Sequence, residues 1–519
     1  MRSSTLSALG ITATLLSGPS MSSPVPPALA SENDTLVSIS QTLEAQSNGS
    51  MTCVAIAQQS LDEIHRLNPT LKAFITVNPN LLSDAAKLDA LRRAGTVLPL
   101  HCVTVAVKDN IDVAGMPTTG GSVLLENNHP EHDADAVDRL RAAGALFVGK
   151  TNLDELAVAG STMSSLGGQT LNPYDNTRFA AGSSGGSAVS ASTGISICSI
   201  GTETVNSLRN AASSAGVVAV RTTPGLVSRN GVIPLSSSMD VVGPICRHVE
   251  DSVRMLEQMT GHVPSDSPTT ADGGAHTRIA LENLHPAELK SVRLGVLKNL
   301  FSTEPDGAPA NEVLEAALVK LRLAGAQIVS IDDTEFDSAT SSERMNVSNY
   351  EFRPLFDKYL ASIKYVSGVQ NTQDYYDAHR FPASTMENFL KNAASWDDPL
   401  HMPEYLAALR YTATFKTKLL DLMHAHELDA LVYPSQKRPP ILQTDKPRPE
   451  RNGVFASAMG LPAIDLPAGF TEPTANAPVG LPVGMDLLAR PHDDMKLLNV
   501  ALAIEKTLDA RRSPLLARP

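Results

Sequence analysis

Between Ala180 and Gly216 the chain is dominated by Gly, Ala, Ser and Thr, and Gly182-Ser183-Ser184-Gly185-Gly186-Ser187 sets hydroxyls among residues without side chains. That combination suits a tight bend presenting serine oxygens or backbone N–H groups to a ligand. A phosphate-cradling P-loop needs Gly-Lys-Ser/Thr, and no lysine occurs between Lys150 and Lys290, which sets that chemistry aside. A flexible linker fails too, because the stretch runs straight into the apolar run Ile195 to Ile200. Gly182 to Gly186 also matches the nucleophile elbow G-x-S-x-G, which would make Ser184 the nucleophile of an α/β-hydrolase-type esterase. The elbow requires a strand before, a helix after, and a later acid and histidine; Asp240, His248 and His492 are available but form no recognisable pattern.

A second set of blocks points to a Ser-Ser-Lys site. Ala181-Gly182-Ser183-Ser184-Gly185-Gly186-Ser187 is followed by Gly201-Thr202-Glu203-Thr204-Val205-Asn206-Ser207-Leu208-Arg209, which puts Ser183 and Ser207 24 positions apart. Upstream stand Ala106-Val107-Lys108-Asp109-Asn110 and Gly149-Lys150-Thr151-Asn152-Leu153-Asp154-Glu155. Downstream come Thr223-Pro224-Gly225-Leu226, Gly231-Val232-Ile233-Pro234, Met239-Asp240-Val241-Val242-Gly243-Pro244, Gly460-Leu461-Pro462-Ala463 and Gly480-Leu481-Pro482-Val483-Gly484. In this order and spacing the blocks resemble the amidase signature family, from Ser40 to the C-terminus and least clearly from Pro264 to Pro434. The resemblance implies a single large α/β domain with a central mixed β-sheet covered by helices. It also implies hydrolysis of a carboxylic amide through an acyl-enzyme on Ser207, with Ser183 in a cis-peptide turn relaying the proton to Lys108. Backbone N–H groups from Thr204, Val205, Asn206 and Ser207 would form the oxyanion hole, with Ser184, Glu203 and Arg209 in support.

The chemistry of the residues agrees. A serine hydroxyl is a weak nucleophile until a base takes its proton, and no histidine lies close in sequence to Ser207. A lysine serves if burial lowers its pKa, and Lys108 follows the apolar run Val103 to Val107. The alternative for Lys108 is a buried structural cation paired with Asp109 or another carboxylate. The chain departs from the family at Val205-Asn206, where Gly-Gly is usual. A β-branched valine disfavours positive φ, so either this position has ordinary φ or the hole is remodelled. Asn206 is either a donor into the pocket or a turn residue. Glu203 stands where Asp is usual and is expected to hold the loop through backbone bonds. Arg209 is expected to order the loop by pairing with a carboxylate rather than to bind substrate.

These residues need elements to position them. Ser40 to Leu91 reads as a helical entry layer broken at Asn68-Pro69. Val103 to Val107 and Ala145 to Val148 read as strands around a helix from Asp135 to Ala143, and Val292 to Val296 and Ala326 to Ile331 as strands around a helix from Asn311 to Ala324. Leu428 to Tyr433, Ala463 to Pro467 and Gly484 to Leu488 read as strands. Tyr350 to Ala425 reads as helical and aromatic-rich, a pocket-forming insert at about 345–425, and His262 to His276 as an exposed loop. Strand patterns on both sides of the insert favour one interrupted sheet over separate domains.

Composition sets the outer limits. The 519 residues are 42% apolar and 19% charged, a globular composition. The net charge of −13, from 42 basic and 55 acidic residues, argues against non-specific binding to nucleic acid. The expected partner is a small-molecule amide, and the expected protein a monomer or homodimer. Arg2, the apolar run Leu6 to Leu16 and Ala28-Leu29-Ala30 read as a signal peptide over residues 1–30, leaving an amidase domain over 31–519 in the periplasm or medium. No later run is long enough to cross a membrane. Cys53, Cys102, Cys198 and Cys246 form two ordinary disulfides at most. His424 and His426, followed by Glu427, lack the spacing of a metal-binding helix and read as a surface helix end; no metal or organic cofactor is implied. A glutaminase subunit of a tRNA-dependent amidotransferase would carry the same blocks and remains open. Retention of Lys108, Ser183 and Ser207 together speaks against a silent binding protein.

Overall fold

The computed structural model describes residues 38–516 apart from 267–268, 270–277, 365–367 and 446–451. The expected signal peptide and most of the expected loop His262 to His276 therefore lie outside the described residues. Thirteen strands are described: β1 Phe74–Val77, β2 Thr104–Lys108, β3 Leu146–Thr151, β4 Met163–Ser164, β5 Gly168–Gln169, β6 Cys198–Glu203, β7 Val218–Arg221, β8 Val241–Cys246, β9 Arg293–Leu297, β10 Gln327–Ile331, β11 Ala430–Pro434, β12 Ala463–Phe470 and β13 Pro482–Leu488. Strands β4 and β5 form a small hairpin; the other eleven form one mixed sheet in the order β1-β3-β2-β6-β8-β7-β12-β13-β11-β9-β10. Strands from both sides of the helical insert share this sheet, as the interrupted-sheet reading requires.

Neighbours β3, β2 and β6 run parallel, so their carboxyl ends lie at one edge of the sheet, where open α/β sheets bind ligands. Lys108 is the last residue of β2 and Glu203 the last of β6. One face is filled by Val105, Val107, Ile200, Val218, Ile464 and Leu487 under helices that include Val249–Met259 and Asp494–Leu508. Fully buried apolar side chains of this kind stabilise by about 1.5–3 kcal/mol each relative to exposure.

The Gly/Ser-rich segment folds as a helix, Gly185–Thr193, with residues 185–192 buried. Its composition follows from how closely it approaches the sheet. A Cβ on Gly186 would lie 2.5 Å from both the Ala73 and the Asn152 carbonyl oxygens, and one on Gly182 would collide with an Asp154 carboxylate oxygen. The buried hydroxyls are spent locally: Ser187 Oγ donates to Ile200 O at 3.1 Å, and Ser190 meets Ser196 at 2.8 Å. Buried polar groups are tolerated when paired in this way.

Two expectations for the entry layer are corrected. The helix Cys53–Leu71 runs through Pro69 and ends instead at Lys72, which takes a left-handed φ of 50°. The segment after it is not all helical, because Phe74–Val77 adds an edge strand antiparallel to β3. Four residues alternating weakly in hydrophobicity leave too little pattern to separate a strand from the helices around it. The segment of the expected insert carries the helices Ser348–Ser362, Thr372–Asp377, Ala383–Ser395 and Pro403–Ala425. Phe352, Phe356, Tyr375, Met386 and Leu390 of the insert pack on Leu124, Leu156 and Leu235 of the main body. All four cysteines pair: Cys53–Cys102 joins the first long helix to the turn before β2, and Cys198–Cys246 joins facing residues of β6 and β8. Among the described residues no helix is long and apolar enough to cross a membrane.

Candidate active site

Lys108 ends its strand fully buried, with Nζ 2.7 Å from Ser183 Oγ, 2.8 Å from Thr202 Oγ1 and 3.2 Å from Thr202 O. Asp109, the alternative partner, instead meets Lys150 at 3.0 Å and receives hydrogen bonds from Thr119. Burial pushes the Lys108 amine down to about 7, against the opposing pull of Asp154, Asp240 and Glu203. Asn110 Nδ2 donates to Thr202 Oγ1 at 3.0 Å, fixing the hydroxyl that faces the amine.

The Gly182–Ser183 peptide bond is cis. The bend is held on both sides: Asn210 Nδ2 donates to Gly182 O at 3.0 Å, and Thr162 Oγ1 donates to Ala181 O at 2.6 Å. Ser184, one residue on, is fully buried with Oγ donating to Thr202 O at 3.0 Å, and it does not line the cavity described below. Asp240 is engaged with Thr204 and the backbone of Leu235 and Ser236, while His248 is pushed down to about 4 by burial and neighbouring arginines. The Ser184 hydroxyl, the nucleophile of the esterase reading, is thus committed to a carbonyl beneath the turn.

Ser207 follows β6 in a turn, Thr204–Ser207, whose four residues all line a cavity of about 430 Å³. Neither Val205 nor Asn206 takes a positive φ, so the departure from Gly-Gly is accommodated with ordinary backbone geometry. The turn is built on Glu203, whose carboxylate accepts from the Leu208 N–H at 3.1 Å and the Arg209 N–H at 3.2 Å. Arg209 forks onto Glu203 at 2.7 Å, meets Asp486 at 2.5 Å and donates to Gly453 O at 2.9 Å. It is fully buried and absent from the cavity wall, so it orders the loop. Thr204 Oγ1 donates to Asp240 Oδ1 at 2.6 Å, a second pin on the turn.

The other walls come from Ala157 to Ser161, from Asn346, Ser348 and Asn349, from the helix Ala383–Ser395, from Gln436 and from Arg438 to Ile441. On that helix Ser384, Thr385, Asn388, Phe389 and Asn392 fall on one face, the 3.6-residue period of a wall. Sequence reasoning missed Thr202, Asp486 and these asparagines as site residues, and offered Asp240 only as an acid for the elbow reading. Thr202 carried a signal, lying within the block before Ser207 on a strand next to that of Lys108; the asparagines carried none. His424, His426 and Glu427 are exposed at a helix end. Among the described residues one cluster has metal-ligand types at close range, Cys53, His101 and Cys102, and its thiols are joined in a disulfide.

A model of the family described as Amidase matches residues 55–498. The chain belongs to this family. It is 32% identical over 492 residues to a glutamyl-tRNA(Gln) amidotransferase subunit of a Synechococcus strain, covering 89% of this chain and 91% of that one. Its fold is similar to the peptide amidase of Stenotrophomonas maltophilia, with a TM-score of 0.82, 31% identity and coverage of 92% and 98% of the two chains. The corresponding amidotransferase subunit from Thermotoga maritima gives a TM-score of 0.69 at 26% identity, over 89% of this chain and 97% of that one. This amidase is accordingly a hydrolase of amide C–N bonds, built as one large domain around a mixed sheet.

The buried cluster under its turn makes one prediction. Arg209→Met leaves Glu203 and Asp486 without their shared cation, and breaking a buried pair from one side costs about 3–5 kcal/mol. Chemical denaturation should show that loss, and a change below about 1 kcal/mol would mean that Arg209 is not needed to hold the two acids.

Proposed function

We propose that this amidase uses Ser207 as nucleophile, Ser183 as proton relay and Lys108 as base, on amides whose groups near the scissile bond are uncharged. The observation that carries the mechanism is the short contact between Lys108 Nζ and Ser183 Oγ at a lysine with no carboxylate at ion-pair distance among the described residues. A neutral amine has two N–H groups and one lone pair. Thr202 O and Oγ1 accept the two protons and the Ser183 hydroxyl donates to the lone pair, which satisfies all three contacts.

Ser183 passes its proton to Lys108 as it takes that of Ser207. The Ser207 Oγ–carbon bond forms, and the carbonyl electron pair moves onto oxygen beneath the N–H groups of Thr204 to Ser207. The proton returns by the same path to the leaving nitrogen as the C–N bond breaks. A water then repeats the sequence on the acyl-enzyme, releasing the acid. Each donor in such a hole typically contributes about 3 kcal/mol in the transition state.

The cavity wall supports the substrate reading. Free glutamine presents an ammonium and a carboxylate, yet among the described residues the wall has no Asp or Glu, and its one cation, Arg438, lies 3.0 Å from Asp306. Carboxamides and hydroxyls dominate instead, which pair with C=O and N–H groups such as those of a blocked peptide. The solved relatives named peptide amidase are in keeping with this. Sequence identity to the amidotransferase subunits favours a second reading, glutamine as ammonia source within a larger assembly. In the first reading the enzyme acts as a monomer or homodimer, since the groups invoked above all belong to one chain. We further infer export to the periplasm or medium, supported by the N-terminal run and by the pairing of every cysteine, which suits an oxidising compartment.

Ser207→Ala should lower kcat by more than about 10³-fold with the fold intact, whereas Ser184→Ala should not remove the nucleophile. With a base titrating at about 7, kcat/KM should rise roughly tenfold per pH unit below that point and level off above it, since only the neutral amine accepts the proton. A flat profile from acid to alkaline pH would remove Lys108 from the role. In a hydrolysis screen of the isolated protein, neutral peptide amides and small amides should turn over with much higher kcat/KM than glutamine. Preference for glutamine would establish the second reading instead. N-terminal sequencing of exported protein should begin near Ser31, and recovery of the chain in cells with Met1 intact would refute export.

A further inference from the structure

Beneath the turn that carries Ser207, three strands meet at a cluster of acids with too few protons. Asp465 on β12 and Asp486 on β13 face each other directly in the antiparallel register. Ser435, the residue after β11, brings its Oγ to Asp465 Oδ1 and to Asp486 Oδ1, the latter at 2.7 Å. All three are buried. A serine hydroxyl has one proton to donate, so it cannot satisfy two carboxylates; the second contact needs a proton on one of the acids.

Geometry decides which acid. Asp486 Oδ2 lies 2.5 Å from Arg209 Nη1, the position of an anion in an ion pair. Among the described residues Asp465 has no cation at that distance, and its Oδ2 is buried without a hydrogen-bond partner, where a negative charge would be stranded. Charge balance gives the same answer. Glu203 and Asp486 face Arg209 and Arg221, two acids against two guanidinium groups, and a third charge on Asp465 would be unmatched. Like charges placed directly opposite on adjacent strands also repel.

We propose that Asp465 is a positioning residue held as the neutral carboxylic acid. Its proton goes to Ser435 Oγ and Ser435 donates to Asp486, so that Asp486 remains the anion that holds Arg209. Arg209 then grips Glu203, and Glu203 accepts the Leu208 and Arg209 N–H groups that shape the turn bearing Ser207. The groups facing Asp465 are Asp486 on β13, Ser435 after β11, Arg209 on its helix and Glu203 at the end of β6; burial and Asp486 raise its pKa, and Arg209 and Ser435 oppose them. The catalytic consequence rests on Ser207 being the nucleophile; the protonation state does not.

The test pairs spectroscopy with kinetics on the full chain. Infrared difference spectra of the wild type against Asp465→Asn at neutral pH should show loss of the carbonyl stretch of a protonated carboxylic acid. Asp465→Asn, whose amide donates to Ser435 in the same place, should keep kcat/KM on a neutral amide within about threefold, while Asp465→Ala and Ser435→Ala should lower kcat at least about tenfold with little change in KM. Loss of a carboxylate band in place of the acid band would overturn the proposal. So would an Asp465→Asn protein as impaired as Asp465→Ala, or one unable to fold, because that variant carries the neutral group the site is said to hold already. If Ser207→Ala leaves turnover unchanged but the acid band is present, the nucleophile assignment fails and the neutral Asp465 stands.

Discussion

A lysine amine taken out of water without a carboxylate beside it is the constraint around which the site is arranged. The contrast with Lys150 makes this plain. Both lysines end up fully buried on adjacent parallel strands, but Lys150 meets Asp109 at 3.0 Å while Lys108, among the described residues, meets only the oxygens of Ser183 and Thr202. An ion pair favours the ammonium, whereas hydroxyl and carbonyl partners in a desolvated place can serve the free amine equally well. The sheet delivers that environment: β2 ends at Lys108, the neighbouring β6 supplies Thr202, and the turn after Ala181 lays Ser183 across the amine.

The turn above the lysine has the opposite electrostatic design. Glu203, Arg209, Arg221 and Asp486 are all buried, and every one has a charged partner. Such a cluster contributes modestly to net stability once desolvation is counted, yet it fixes geometry, because loss of any member strands its neighbour. Position is what an oxyanion hole made of backbone N–H groups requires. Side chains at Val205 and Asn206 can then differ from the family pattern in the proposed hole, since φ stays ordinary at both.

How much of this was legible in the sequence follows from where the physics is stored. Lys108, Ser183, Ser207, Glu203 and Arg209 stand in short blocks whose order and spacing carry information, and strands such as Thr104–Lys108 announce themselves as apolar, β-branched runs. The strand Phe74–Val77 did not, because it is short and sits at an edge where only one neighbour shapes it. The break expected at Pro69 was misplaced: Pro69 lies within the last turn of its helix, and Lys72 ends it. Asp465 and Asp486 looked like ordinary strand acids, since nothing local reveals that they face each other across two strands.

Selectivity was the least legible property, and the structure gives the reason. The cavity wall is collected from the turn after β6, the loop Ala157 to Ser161, two helices of the insert, Gln436 and the segment Arg438 to Ile441. These pieces are far apart in sequence and meet only because Phe352, Phe356 and Tyr375 dock the insert on the main body, with Tyr375 OH donating to the buried Glu155 at 2.5 Å. Asn388 and Asn392 become neighbours in the wall through one helical turn, and Asn206 joins them only through the fold. A single asparagine in a helix is indistinguishable by sequence from a solvated one. Lys108 and the turn bearing Ser207 are placed by the ends of β2 and β6, whereas the wall is constrained only by shape and pairing, and those are properties of the assembled chain.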